Sequence, residues 1–168
     1  LAVKGGNSLA EWLNDALIFK SPQTGLVFTR DWHNPPPDNN GGHFSPYPDY
    51  KNTWPVHCVA DTHGAKFHPA IEHLTHPSIV FSKGQGRPDY SGFQGVNSDG
   101  VSLNEYLESR GAKRLTVVGI AGDYCVRETA LDGIRLGYSV HVPAAFTVSV
   151  GGHEATQETI DMIEAAKG

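Results

Sequence analysis

Apolar positions along the chain gather into short continuous runs and helical stripes rather than alternating residue by residue. Between residues 8 and 17, Leu9, Trp12, Leu13, Ala16 and Leu17 recur at helical spacing, with Asn7 or Ser8 as the expected cap and Glu11 as capping-box partner of Ser8. Pro22 and Gly25 end that element, and residues 25–30 form a strand-like run leading into Asp31-Trp32-His33. Residues 34–69 hold no period and are rich in Pro, Gly, Asn and His, a loop length that in a folded domain points to function. Residues 78–82 predict a second strand ending at Lys83-Gly84. A polar loop over 85–99 precedes a helix over 102–110, with Leu103, Tyr106 and Leu107 on one face and Gly111 as its stop. Residues 115–121 make the clearest buried strand. Asp123 is placed to cap a helix reaching Arg135, with Val126, Ala130 and Ile134 on one stripe and Gly137 closing it. A short strand over 138–142 and a helix over 153–167, striped by Thr159, Ile160, Ile163 and Ala166, complete the pattern.

Strands that are apolar throughout and alternate with helices at βαβ lengths predict a parallel sheet covered on both faces. The expected fold is therefore α/β, a three-layer sandwich with a mainly parallel central sheet, built as a single domain over residues 1–168. In open sheets of this kind ligands bind beyond the carboxyl ends of the strands. Asp31, Lys83 and the 121–125 turn each follow a predicted strand, so one crevice can hold all of them.

Composition narrows the function. A formal net charge of -5 offers no basic stripe for nucleic acid and no basic amphipathic helix for a membrane surface, and the apolar runs are too short to span a bilayer. Two cysteines, Cys58 and Cys125, cannot build a disulfide framework, which makes a reducing, cytoplasmic compartment the default expectation. The chain does not begin with Met, and a longer natural product is expected. Oligomerisation is left open. Nine histidines are present, seven of them between His33 and His76, and that crowding asks for a cause.

Asp31 and His33 stand two apart at a strand end and so face the same side; with His43 and His57 they offer imidazole and carboxylate donors suited to zinc, iron or manganese. A histidine-rich solvated loop would show similar spacings, so the pattern alone leaves both readings standing. Cys125 falls at a predicted helix start, where the dipole and free N–H groups lower a thiol pKa and can form an oxyanion hole. A lone cysteine is more often a small buried hydrophobe. Lys83 by itself reads as a surface lysine, but beside a thiolate and a carboxylate it can stabilise charge and move protons.

The motifs together resemble the nicotinamidase/pyrazinamidase family, within the isochorismatase-like cysteine hydrolases. The resemblance runs through Arg30-Asp31-Trp32-His33, His43-Phe44-Ser45, Trp54-Pro55-Val56-His57-Cys58-Val59 and Thr62-x-Gly64-Ala65-x-Phe67-His68-Pro69. It continues through Phe81-Ser82-Lys83-Gly84, Tyr90-Ser91-Gly92-Phe93 and 119–126, in order over nearly the whole chain. It implies Cys125 as nucleophile and Lys83 as its triad lysine, with Asp31, His33 and His57 as ligands of one divalent metal ion (Zn, Fe or Mn). His43 matches a fourth histidine that ligates in some members. It further implies Trp54, Tyr90, Ile120 and Ala121 around the substrate, an oxyanion hole from the N–H groups of Ala121 and Cys125, and a cis peptide between Ile120 and Ala121. The implied reaction converts a small carboxamide, nicotinamide or pyrazinamide, to its acid and ammonia through a thioester, in NAD salvage.

Two departures from the family pattern stand out. The family's triad aspartate lies on a first strand ahead of the position matching Leu1, so none of these residues matches it; an upstream strand and a closing segment beyond Lys167 are expected in the natural protein. Gly122 stands where many relatives carry threonine, which is expected to loosen the turn. Three alternatives are weighed. Isochorismatase-like hydrolases of vinyl ethers need neither this metal set nor a cysteine at 125. An amidohydrolase of N-carbamoyl or ureido substrates would lack the Asp31, His33, His57 set. A catalytically impaired metal-binding homologue is favoured only by the missing aspartate. His63, His68, His73, His76 and His153 are expected to be solvated or structural.

Overall fold

Parallel pairing of strands organises the chain in the computed structural model, which describes residues 2–18, 25–36 and 43–168. Strand β1 (Phe28–Asp31) lies parallel to β2 (Val80–Lys83), with Phe28 opposite Val80 and Asp31 opposite Lys83. Strand β3 (Arg114–Thr116) lies parallel to β4 (Ser139–His141), with Leu115 opposite Val140. Helices α1 (Gly6–Ile18), α2 (Pro69–Glu72, a single turn), α3 (Leu103–Ser109), α4 (Arg127–Arg135) and α5 (Gly152–Ala165) connect and cover them. The result is an α/β arrangement with crossover connections, as the block pattern predicts. Among the described residues no strand joins the β1–β2 pair to the β3–β4 pair.

The core is the meeting of these elements. Phe81 of β2, Leu103 and Leu107 of α3, Ala130 of α4, Val140 of β4 and Ile163 of α5 are buried together with Val126, Tyr138 and Val142. At roughly 1.5–3 kcal/mol for each large apolar side chain, this cluster supplies most of the drive that holds the helices on the strands. Helix α3 starts where Ser102 caps the Glu105 N–H and Glu105 returns the contact, a full capping box.

Several expectations are revised. Helix α1 begins at Gly6, so Asn7 and Ser8 lie within its first turn rather than capping it. It buries Leu9 and Ala10 but leaves Trp12 58% exposed. The side chain of Leu17 and the stop signal at Pro22 lie outside the described residues. The strand expected over 115–121 is regular only to Thr116. Beyond it the partner strand runs into Pro143, which has no N–H to give, and the ladder resumes one 3₁₀ turn later, with Val148 N–H donating to the Gly119 carbonyl. Asp123 does not cap the following helix: its carboxylate accepts from the N–H groups of Val150 and Gly151, 2.9 Å each, and so ties the Cys125 turn to the start of α5. Gly122 does not loosen that turn. A Cβ there would stand 2.3 Å from Ser149 Oγ and 2.8 Å from Thr147 Cγ2, so the space a side chain would take is already filled. Among the described residues no helix is long and apolar enough to cross a membrane.

Candidate active site and metal centre

Strand register places the first two groups. Because Asp31 and Lys83 are opposed at the carboxyl ends of β1 and β2, their side chains leave the sheet on the same side. The Lys83 ammonium donates to Asp31 Oδ1, to the Asp89 carbonyl at 3.0 Å, and lies 3.6 Å from Cys125 Sγ. Cys125 arrives from the third strand end, inside a π-type turn over Gly122–Val126 that leads into α4. The N–H groups of Tyr124 and Val126 both donate to the Ala121 carbonyl, whereas the Ala121 N–H hydrogen-bonds the thiol. The peptide joining Ile120 to Ala121 is cis, as expected.

Charge in this group is strongly coupled. Burial favours a neutral Asp31, but Lys83 and the neighbouring imidazoles outweigh it and hold the carboxyl below its ordinary range. Burial favours a neutral Lys83, yet Cys125 and Asp31 keep the ammonium above its ordinary value. The thiol departs from expectation. Burial pushes the Cys125 pKa up, and Lys83 with the Ala121 N–H offsets this only in part, so position at a helix start does not by itself make the thiolate.

The histidines are brought together by a loop that has almost no regular structure. Isolated bridges join His33 to Val59 and Phe44 to Trp54, with Trp54 N–H donating to the His43 carbonyl at 2.7 Å and His33 N–H to the Cys58 carbonyl at 3.0 Å. The ligand atoms of His33, His43 and His57 consequently lie within 4.8 Å of one another. Backbone carbonyls set two tautomers: His33 Nδ1 lies 3.0 Å from the Gly84 oxygen and His57 Nδ1 lies 2.7 Å from the Pro55 oxygen. Both Nδ1 atoms therefore carry hydrogen, and both Nε2 lone pairs face inward. His33 is 0% exposed, and among the described residues its Nε2 has no hydrogen-bond partner. Asp31 Oδ2 is 3.9 Å from the Nε2 atoms of both His33 and His57. Burial, then the neighbouring imidazoles, push the His43 pKa down to about 4, and burial also lowers that of His57, so these two rings are neutral donors at physiological pH. An inward-facing orphan nitrogen beside two further imidazoles and a carboxylate fits a divalent metal ion.

Gly84 matters to both halves. It follows Lys83 at φ +86°, and a Cβ on it would lie 2.5 Å from the His33 ring. Only glycine meets that geometry, since the backbone is left-handed and lies against the imidazole.

An aromatic wall closes the site. Trp54 Nε1 donates to the Tyr90 hydroxyl at 2.8 Å, and Tyr90 lies 5.6 Å from the His43 ring. Tyr124, to which the sequence pattern gives no role of its own, packs edge-on to Trp54 at 4.9 Å and stacks on Tyr90 at 6.0 Å, while its hydroxyl donates to the Tyr50 carbonyl. An aromatic next to a candidate nucleophile was the available signal. Ile120 is 48% exposed, and its side chain approaches the backbone of Gly6 on α1. Thus Asp31, His33, His43, His57, Trp54, Lys83, Tyr90, Ala121 and Cys125 converge, and Ile120 reaches the group through its peptide link to Ala121. Two of the remaining histidines are structural: His68 Nδ1 accepts from Ala70 N–H and His76 Nδ1 from Ser78 N–H, each capping a short turn.

Comparison with known proteins agrees with this geometry. The Isochorismatase domain matches residues 10–166. A nicotinamidase/pyrazinamidase of Mycobacterium tuberculosis is 43% identical over 150 residues, covering 89% of this chain and 78% of the relative. Among solved structures, the pyrazinamidase of Pyrococcus horikoshii in complex with zinc superposes with a TM-score of 0.76 at 30% identity, covering 99% of this chain and 86% of that one. A protein of L. infantum in complex with nicotinate superposes with a TM-score of 0.73 at 33% identity, covering 99% and 80%. Similarity that extends over the whole strand-and-helix order, and not over one motif, places this chain in the nicotinamidase/pyrazinamidase family of isochorismatase-domain proteins.

Proposed function

We propose that this chain hydrolyses nicotinamide, and its analogue pyrazinamide, to the acid and ammonia, with Cys125 as nucleophile. The observation that carries the reading is the Lys83 ammonium 3.6 Å from Cys125 Sγ, directly beside a three-histidine cluster. The relatives' names and the nicotinate and zinc complexes of similar structures point to the same substrate class and to a bound metal.

In this reading Trp54, Tyr90 and Tyr124 form one aromatic wall against a flat heteroaromatic ring, which offers little else to grip. Sγ attacks the amide carbon, and the N–H groups of Ala121 and Cys125 receive the charge that develops on oxygen. Lys83 Nζ gives a proton to the amide nitrogen as the C–N bond breaks and regains one from the thiol, so one ammonia leaves and the lysine ends as ammonium. Asp31 holds that ammonium in line throughout. Water then cleaves the thioester to release the carboxylic acid and restore the thiol. His33, His43 and His57, with Asp31 beside them, would hold zinc, iron or manganese, which supplies a Lewis-acid point for the ring nitrogen and for water. The reaction returns nicotinamide to NAD salvage, and two free cysteines suit a reducing compartment.

The test is ammonia release from nicotinamide by the native chain, by Cys125→Ala and by metal-stripped protein. Release that is lost in both altered samples is expected. Undiminished release from Cys125→Ala would overturn the assignment of the nucleophile.

A further inference from the structure

Asp89 is only 3% exposed, and its carboxylate has none of the roles given above. Its carboxylate accepts from Gly84 N–H at 3.2 Å and from Gln94 Nε2 at 2.9 Å, with Arg87 Nε at 3.5 Å on the solvent side. Its backbone carbonyl is the Lys83 ammonium's third contact, at 3.0 Å. Gly84, whose N–H donates to Asp89, also presents its carbonyl, in the next peptide along, to His33 Nδ1. Gln94 completes the arrangement: its Oε1 accepts from the N–H groups of Tyr90, at 3.0 Å, and Ser91, at 2.8 Å. The turn that carries Gln94 is joined to the nucleophile helix, because Gly92 N–H donates to Thr129 Oγ1, which in turn donates to the Cys125 carbonyl.

We propose that the buried Asp89–Gln94 pair is a positioning clamp, setting the Lys83 ammonium, the His33 tautomer and the Tyr90 wall together; this rests on the amidase reading of the site. Contacts to three different parts of the site exceed what closing a surface loop requires. The pair has one satisfied arrangement: Gln94 must donate to Asp89 and accept from two backbone N–H groups, so its amide cannot turn over without losing all three contacts. A buried carboxylate is costly unless every lone pair is used, and here the partners that satisfy it belong to the loop bearing the functional groups.

The logic yields a reciprocal test in the full chain. Asp89→Asn sets an amide donor against the Gln94 donor. Gln94→Glu sets two carboxylates against each other. The double variant Asp89→Asn/Gln94→Glu restores donor to acceptor and preserves net charge. Two readouts are taken, the rate of Cys125 alkylation by iodoacetamide resolved by mass spectrometry, and the kcat and KM of ammonia release, with melting curves confirming fold. Each single variant should slow alkylation and lower kcat by about tenfold, the scale of one disturbed hydrogen bond to a charged group. KM should change less than kcat, and the double variant should recover to within about threefold of native. A double variant as slow as either single one, or single variants with native alkylation, would overturn the clamp. If the native chain releases no ammonia while the alkylation pattern holds, the amidase reading fails and the clamp stands.

Discussion

Replacing Lys83 by Met keeps most of the side-chain volume and removes one charge from the centre of the site. Lys83 is 2% exposed, and its ammonium lies 3.6 Å from Cys125 Sγ. At an effective dielectric of about 20, an opposed pair at that separation is worth about 4–5 kcal/mol. Losing it lowers the thiolate population by about a thousandfold at fixed pH, at about 1.4 kcal/mol per tenfold. A more basic thiolate is also a better nucleophile, which returns roughly half of that exponent. Alkylation of Cys125 by iodoacetamide at neutral pH should therefore slow by about 30–100-fold. Ammonia release should fall further, because the leaving nitrogen loses its proton donor as well, a contribution of about 10²–10⁴. The variant also leaves the Asp31 carboxylate without its cation, and breaking a buried pair in this way costs about 3–5 kcal/mol, so urea unfolding must be run alongside. A folded Lys83→Met protein whose Cys125 alkylates within about threefold of native would refute the reasoning, since Lys83 would then not govern the thiol.

Further outcomes follow from the same geometry. Gly84→Ala should weaken zinc or cobalt binding measured by titration and cost about 1–3 kcal/mol in urea, because the added Cβ meets the His33 ring at a left-handed backbone position; native affinity would show that the His33 orientation is not set there. Gly122→Thr should destabilise by about 1–3 kcal/mol, with Ser149→Ala in the same chain recovering part of it, since Ser149 Oγ fills the space; strict additivity of the two changes would argue against the contact. Metal-free protein should lose stability as pH falls from about 6.5 toward 4. Burial holds His43 neutral down to about 4, so below the unfolded value near 6.5 the unfolded chain binds a proton that the native state does not. This contribution is of order 3 kcal/mol, and bound metal should extend the stable range to lower pH. Urea midpoints that stay flat over that interval would contradict the buried neutral cluster.

Much of the site was legible in the sequence because the groups that do chemistry follow strands. Once the runs 25–30, 78–82 and 115–121 are read as parallel strands, Asp31, Lys83 and Cys125 follow them at one edge. The histidine set was legible as donors without being legible as geometry. Nothing in the composition of residues 43–60 says that Trp54 N–H will reach the His43 carbonyl, yet that bridge brings His43 to His33. Backbone partners explain the other misses. Asp123 has the residue type of a helix cap, but two N–H groups distant in sequence, at Val150 and Gly151, take its carboxylate. Trp12 fits the helical stripe, yet it stays exposed while Leu9 and Ala10 are buried. The sequence places the Cys125 thiol at a helix start, which lowers a thiol pKa; burial, a tertiary property that the sequence does not display, raises it.

The central claim, that Cys125 forms an acyl intermediate with a pyridine carboxamide, is tested most directly by trapping. Native protein is mixed with excess nicotinamide and quenched in acid within one turnover, and the peptide carrying Cys125 is weighed. A mass gain equal to a nicotinoyl group on that cysteine, absent from Cys125→Ala and from samples quenched after the nicotinamide is exhausted, is the predicted result. Turnover to nicotinate with no acyl group ever found on Cys125, in a quench fast enough to catch substrate still bound, would contradict the account.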